Sequence, residues 1–335
     1  MSRGTSTLSD RAVNTLLLAV SLALIYAAAE AYVSFAVDDG MQFDLEMWRY
    51  SRAVKRVSDN PVIGHEHQPN TQAHLMGVDV AISSQGLRDR EFPLEPPPGR
   101  TRILMLGDSL TFGWGVPVEQ TYSKRLEQLL RQGGHDVEVI NTGVGNYNTS
   151  MEVEYFLERG AKFNPHYVVL NYFINDAEPT PRYQTSFLSR HSRAYVYFAS
   201  RMDSALRKAE VAHREDWQGY YASLYKNGHG TREVIAAVGR LASYCRKKGI
   251  YVVLADYPEL RSPAKYPFPY VGDFMRKAAE THGIPYISLL PAVKNLEPAS
   301  LWVTVPDPHP SAVAHEAFAK ELFSIFDPQL RARRQ

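Results

Sequence analysis

Cysteine is nearly absent from this chain: 335 residues contain one, Cys245. A single thiol excludes an intrachain disulfide and any cysteine-based metal site. An excess of one charge sign is missing too, since 37 Lys+Arg against 36 Asp+Glu leave a formal net charge of +1. That removes the electrostatic footprint of a nucleic-acid-binding protein. The pair His65-x-His67 has a spacing used in some metal sites but no third candidate ligand beside it, and it reads as a solvated loop. What the chain does have is apolar material, 44% hydrophobic residues, enough for one large α/β domain with appendages.

Charge is also missing locally. Ala12 to Ala29 carries none, Glu30 interrupts, and Ala31 to Val37 is apolar again. The run exceeds the roughly 20 residues that cross a bilayer. Arg3 and Arg11 precede it, while Asp38, Asp39, Asp44 and Glu46 follow. The positive-inside rule therefore predicts a cytoplasmic tail at 1–11, a single-pass transmembrane anchor at 12–37, and everything later on the periplasmic or extracellular side. A cleaved signal peptide is the rival, with Ala29-Glu30-Ala31 as an A-x-A site, but its apolar core should be only about 7 to 15 residues.

Residues 38–100 read as a juxtamembrane segment and linker. Phe43 to Val57 mixes apolar and charged residues in a helical pattern, consistent either with a helix at the lipid surface or with one packed on the following domain. Leu75 to Ile82, with Gly77 inside, predicts a hairpin, and Pro93 to Gly99 (PLEPPPG) a stiff linker.

The most informative stretch is Arg102 to Gly115, RILMLGDSLTFGWG. An apolar run ends in Gly107, Asp108 and Ser109, a strand delivering a serine to a sheet edge. Gly107 lets the backbone turn without a Cβ clash. A serine on such a turn can offer its hydroxyl as a nucleophile and a backbone N–H to a developing oxyanion. Farther on, Tyr122, Leu126, Leu129 and Leu130 form the stripe of a helix stopping at Gly133 and Gly134. Strands are predicted at Val137–Asn141, Tyr167–Tyr172, Tyr251–Ala255 and Tyr286–Leu289, with helices near 149–162, 232–248, 271–282 and 311–326. The alternation implies right-handed crossovers and a parallel sheet covered on both faces, with ligands beyond the carboxyl ends of its strands. Ser109, the loop Gly143 to Asn148, Asn175 with Asp176, and Asp307 with His309 each follow such a strand, so all four groups are predicted at one edge.

These four places resemble the sequence blocks of the SGNH (GDSL) hydrolase superfamily, mostly serine esterases, lipases and acyl-group transferases. The resemblance covers roughly Ile103 to Phe326. It implies a flavodoxin-like three-layer sandwich with a central five-stranded parallel sheet over 101–328, and an active site needing no metal or organic cofactor. The G-D-S-L block supplies Ser109 as nucleophile. In the second block, N-T-G-V-G-N-Y-N-T, Asn146 stands at the position of the glycine whose N–H helps bind the oxyanion; asparagine tolerates positive φ, and Gly145 is the fallback alignment. In the third, Phe173 replaces the usual glycine, while Asn175 keeps the side-chain donor. The last block, Asp307-Pro308-His309-Pro310-Ser311, supplies acid and base. Each of the two precedes a proline, which favours extended backbone, and in an extended chain residues i and i+2 point to one side. His315, more than a turn inside the last helix, reads as structural.

Between the third block and its returning helix lies an insertion, 178–231, rich in aromatics such as Tyr183, Phe187, Tyr197, Tyr221 and Tyr225. It predicts a small helical cap, with a substrate role left open. The expected activity is hydrolysis of an O-acyl ester of a small molecule, glycan or lipid. Transfer of the acyl group to an extracellular polysaccharide, or a catalytically silent binding role, are the alternatives. Nothing in the sequence assigns a protein partner.

Overall fold

The computed structural model describes residues 8–179, 186–212, 217–305 and 307–334; Arg3 and Tyr183 lie outside them. Helix α1 (Leu8–Tyr32) runs on into a π-helical stretch, Val33–Val37. Together they give one helix long and apolar enough to cross a membrane, Asp10–Val37. Its interrupting charge has a structural partner: the Glu30 carboxylate accepts from Ser192 Oγ (2.8 Å) and from the backbone N–H groups of Arg193 (2.9 Å) and Ala194 (3.1 Å). Those N–H groups open a helix of the insertion, and a carboxylate there satisfies donors that have no intrahelical acceptor.

Helix α2 (Phe43–Ala53) follows, then the antiparallel pairs β1 (Lys55–Val57) with β2 (His65–His67) and β3 (Gln72–Leu75) with β4 (Val78–Ala81). The two positions open for α2 resolve in favour of packing on the domain: Tyr50 is fully buried, clustered with Phe112 and Trp114. The expected loop at His65 and His67 is instead a buried strand, where rings hydrogen-bonded to protein replace the solvation assumed for them. Beyond β4, Arg88 is buried and donates to the carbonyls of Phe112 (3.0 Å), Gly113 (2.6 Å) and Val116 (2.7 Å). The proline-rich stretch is also tied down, as Pro93 and Leu94 accept from the Arg102 guanidinium.

The central sheet uses β5 (Thr101–Leu106), β6 (Val137–Asn141), β7 (Tyr167–Tyr172), β8 (Tyr251–Asp256) and β9 (Tyr286–Ser288), all parallel, in the order β6-β5-β7-β8-β9. Successive side chains of a strand face opposite ways, and β5 divides accordingly. Leu104 and Leu106 join one core with Ile140, Leu170 and Leu254; Ile103 and Met105 join the other with Val139, Val169 and Val253. Helices α5 (Thr149–Glu158), α9 (His229–Lys248) and α10 (Pro269–His282) cover the first face, α4 (Tyr122–Gln132), the short α11 (Leu290–Val293) and α12 (Ala312–Arg334) the second. This is the three-layer sandwich. Each fully buried Leu or Val contributes about 1.5–3 kcal/mol, so both faces must stay covered.

In the insertion, α6 (Phe187–His191), α7 (Arg193–Ala212) and α8 (Trp217–Asn227) precede α9. Ala194 of α7 packs with Val33 and Leu45, whereas Tyr225 of α8 donates to the carbonyl of Ile174 at 3.1 Å. The insertion thus touches both the end of α1 and the turn that carries Asn175.

Candidate active site

Parallel strands bring their carboxyl ends to one edge, and the sequence puts its chemistry there. After β5, Gly107 is obligatory: a Cβ on it would lie 1.9 Å from Thr111 Oγ1. The tight turn lets Asp108 cap the short helix α3 (Ser109–Phe112) by accepting from Leu110 N–H at 2.8 Å. Ser109 is the first residue of that helix, where N–H groups lack an intrahelical acceptor.

Asp307 and His309, the expected acid and base, come from the far end of the chain. Strand β10 (Trp302–Thr304) pairs antiparallel with β11 (Asp307–Pro310), which presents Asp307 and His309 on one side. His309 Nε2 lies 2.8 Å from Ser109 Oγ, and its Nδ1 is hydrogen-bonded to the Asp307 carboxylate. Backbone N–H of His309 also donates to that carboxylate, at 3.2 Å. A hydroxyl facing one imidazole nitrogen, with a carboxylate on the other, can pass its proton to the ring as it attacks a carbonyl, while the carboxylate stabilises the imidazolium. Phe43 of α2 stacks on the His309 ring (centroids 5.7 Å apart, 30° between planes) and Trp114 lies 6.3 Å away, so aromatic rings flank the imidazole.

Beneath the serine lie buried acids. Burial pushes the Asp108 carboxyl up to about 6, and Asp176 and Glu152 stand well above the carboxylate range, raised first by burial and then by neighbouring acids. Asp176, next to Asn175, accepts from Thr149 Oγ1 at 2.7 Å and ties its turn to α5.

The loop after β6 holds Asn146 exposed at φ +67°, while Gly145 is not in the left-handed region. The conformation glycine usually supplies thus falls on Asn146. Gly143 is close to α3, as a Cβ there would meet Phe112 N at 2.3 Å, and Gly145 is small because a Cβ would meet the Tyr50 ring at 2.7 Å. Asn175 sits on the turn Ile174–Ala177 directly after β7, half-buried. His315 has a structural place: it is fully buried, its Nδ1 accepts from Tyr122 N–H at 3.1 Å, and burial lowers the ring to about 3. Among the described residues no group of three or more His, Cys, Asp and Glu is arranged to hold a metal ion.

Residues 105–317 match the GDSL-like lipase/acylhydrolase family. The chain belongs to that family. It is an SGNH-type serine hydrolase acting on ester bonds. Solved structures similar to it include TesA, at 16% identity over 68% of this chain and 99% of that one with TM-score 0.46. A catalytic mutant of Axe2, an acetylxylan esterase from Geobacillus stearothermophilus, is 16% identical over 67% of this chain and 93% of its own, with TM-score 0.44. A two-domain esterase active on acetylated mannans is 16% identical over 70% of this chain and 50% of its own, with TM-score 0.45. No curated protein matches the chain.

Sequence reasoning missed the contribution of residues 43–67. Phe43 covers the His309 ring, and Tyr50, Lys55 and His65 reach the Gly145 backbone. One signal was available: His65 and His67 alternate, so a strand places both on one side.

Proposed function

We propose that this family member is a membrane-anchored esterase whose catalytic domain faces the periplasmic or extracellular side, hydrolysing an O-acyl ester of a carbohydrate or lipid. Ser109 attacks the carbonyl, His309 takes its proton and returns it to the leaving alcohol, and Asp307 orients and supports the imidazolium. Backbone N–H groups of Ser109 and Asn146 and the Asn175 side-chain amide stabilise the oxyanion. Water then releases the acyl group from Ser109. The observation that carries this reading is the contact of Ser109 Oγ with His309 Nε2 at 2.8 Å, with Asp307 on the opposite ring nitrogen.

One feature favours a second acceptor. Ser109 is only 9% exposed and the His309 ring beside it lies against Phe43 and Trp114, and restricted water favours transfer to a sugar hydroxyl. A fluorophosphonate probe tests the nucleophile, and a panel of short and long acyl esters and acetylated glycans tests the substrate. Turnover in water alone supports hydrolysis; turnover only with an added glycan acceptor supports transfer. Absence of both labelling and turnover overturns the enzyme reading. For the anchor, the chain should stay with membranes through high salt and carbonate, and protease should reach the catalytic domain only from outside. A soluble product beginning near Glu30 or Tyr32 would show a cleaved signal instead.

A further inference from the structure

The carbonyl of Gly145 and the N–H of Asn146 are two ends of one planar peptide unit, directed oppositely because the unit is trans. Whatever holds the oxygen therefore aims the N–H. Lys55 Nζ donates to that oxygen at 2.5 Å, and His65 Nε2 lies 3.0 Å from the same atom. A carbonyl has two lone pairs, so both donors can be accommodated. The preceding N–H, that of Gly145, donates to Tyr50 OH at 2.9 Å, and Tyr147 OH donates to the His65 carbonyl at 2.6 Å. None of these grips comes from the central five-stranded sheet.

We propose that Lys55 is a positioning residue of the oxyanion hole: its ammonium holds and polarises the Gly145 carbonyl and so aims and strengthens the Asn146 N–H as a donor to the developing oxyanion. The inference rests on the reading of Asn146 as an oxyanion donor. A positive charge at the oxygen end of an amide draws electron density from its nitrogen, making the N–H more acidic. In a water-poor site that difference is largest where the transition state carries its charge.

The groups around Nζ give this arrangement a pH dependence. Tyr50 of α2 faces it with its ring, the centroid 4.4 Å away, and His65 Nε2 lies at 3.1 Å. His67 of the same strand bonds Tyr50 OH at 2.7 Å, and the Arg88 charge acts on both Tyr50 and His67. Among the described residues no carboxylate forms an ion pair with Lys55. Burial, with the charge of Lys55, pulls His65 and His67 down to about 3, so both stay neutral at working pH, and burial raises the Tyr50 phenol. Lys55, drawn down by burial to about 7, is the member of this cluster that titrates near neutrality. Its charge is present below that pH and is lost above it, so kcat should decline on the alkaline side.

The test uses the full chain in detergent micelles with p-nitrophenyl acetate, comparing wild type, Lys55→Met and Lys55→Arg, with fluorophosphonate labelling of Ser109 alongside. Lys55→Met removes an enclosed charge without adding bulk and should keep the thermal midpoint. Its kcat should fall by about 10- to 100-fold, with KM changed by less than about twofold. Lys55→Arg, charged at every accessible pH, should retain kcat within about tenfold of wild type and lose the decline above pH 7. A folded Lys55→Met with wild-type kcat and pH profile overturns the inference. Should that variant fail to fold, wild type and Lys55→Arg decide, and an identical alkaline decline in both overturns it. A labelled, active wild type with unresponsive variants removes this inference alone; a wild type that neither labels nor turns over removes the esterase reading and this inference with it.

Discussion

Ser109 is delivered by a strand end of the central sheet, and Asp307 and His309 by a two-stranded ribbon running into the last helix. The loop carrying Gly145 and Asn146 is gripped by Tyr50, Lys55 and His65, from a segment that precedes the sheet by some 40 residues of chain. In the first region, local rules fix the geometry: a glycine that must turn, a cap, a proline-flanked strand. In the second, a loop buried except at Asn146 is fixed by long-range hydrogen bonds whose partners lie in another part of the chain. One edge of a sheet can therefore have a serine and a histidine brought together by short sequence blocks while the neighbouring loop is held by an appendage. The two regions meet at Gly143, where a Cβ would strike the Phe112 backbone.

The comparison breaks first at the nucleophile. Ser109→Ala should lower ester turnover by about 10⁴-fold or more and abolish probe labelling, with the thermal midpoint unchanged. Retained turnover would mean that the serine corner is not the reacting region. Asn175→Ala removes a side-chain donor and should reduce kcat by about 10²- to 10³-fold, measured at saturating ester. An unaltered kcat would place the oxyanion away from the turn after β7.

Acid should separate the two regions without mutation. His65 and His67 are buried with their rings lowered to about 3, chiefly by burial. A folded-state value below the unfolded 6.5 or so gives stability that is full above that pH and lost as pH falls toward 3. The acids under Ser109 act in the opposite sense. Their raised values favour the protonated folded form, so Asp108 gains relative stability as pH falls from about 6 toward 4. Amide hydrogen exchange at pH 7 and 4.5 should show β1 and β2 losing protection before β5; simultaneous loss would make the appendage and the sheet one cooperative unit.

The smallest effect belongs to Asn146→Gly. Because the proposed donor is the backbone N–H and Asn146 is exposed at positive φ, glycine should keep kcat within about threefold and leave the melting temperature nearly unchanged. A loss as large as that of Asn175→Ala would assign chemistry to the Asn146 side chain itself.

Much of this was legible in the chain. Apolar runs of strand length alternating with 3.6-period stripes determined a parallel sheet with two covered faces, because side-chain burial repeats with the period of each element. Strand ends placed Ser109, Asn146 and Asn175 at one edge, and the prolines after Asp307 and His309 predicted the extended pair that β11 provides, though that pair lies on a separate ribbon rather than at the end of the fifth sheet strand. The helix from Tyr122 and its stop at Gly133 also stood in the pattern. Tertiary structure alone decided that α2 packs over the His309 ring rather than on lipid, since its pattern serves either apolar environment. It alone decided that His65 and His67 are buried, because a polar ring can be enclosed wherever a distant partner satisfies it, and those partners lie up to 80 residues away in Gly145. Glu30, read as an interruption of an apolar run, proved to cap α7 across more than 160 residues. Periodicity reports which face of an element is covered. Which element covers it is set by long-range packing and hydrogen bonding, and no local pattern carries that information.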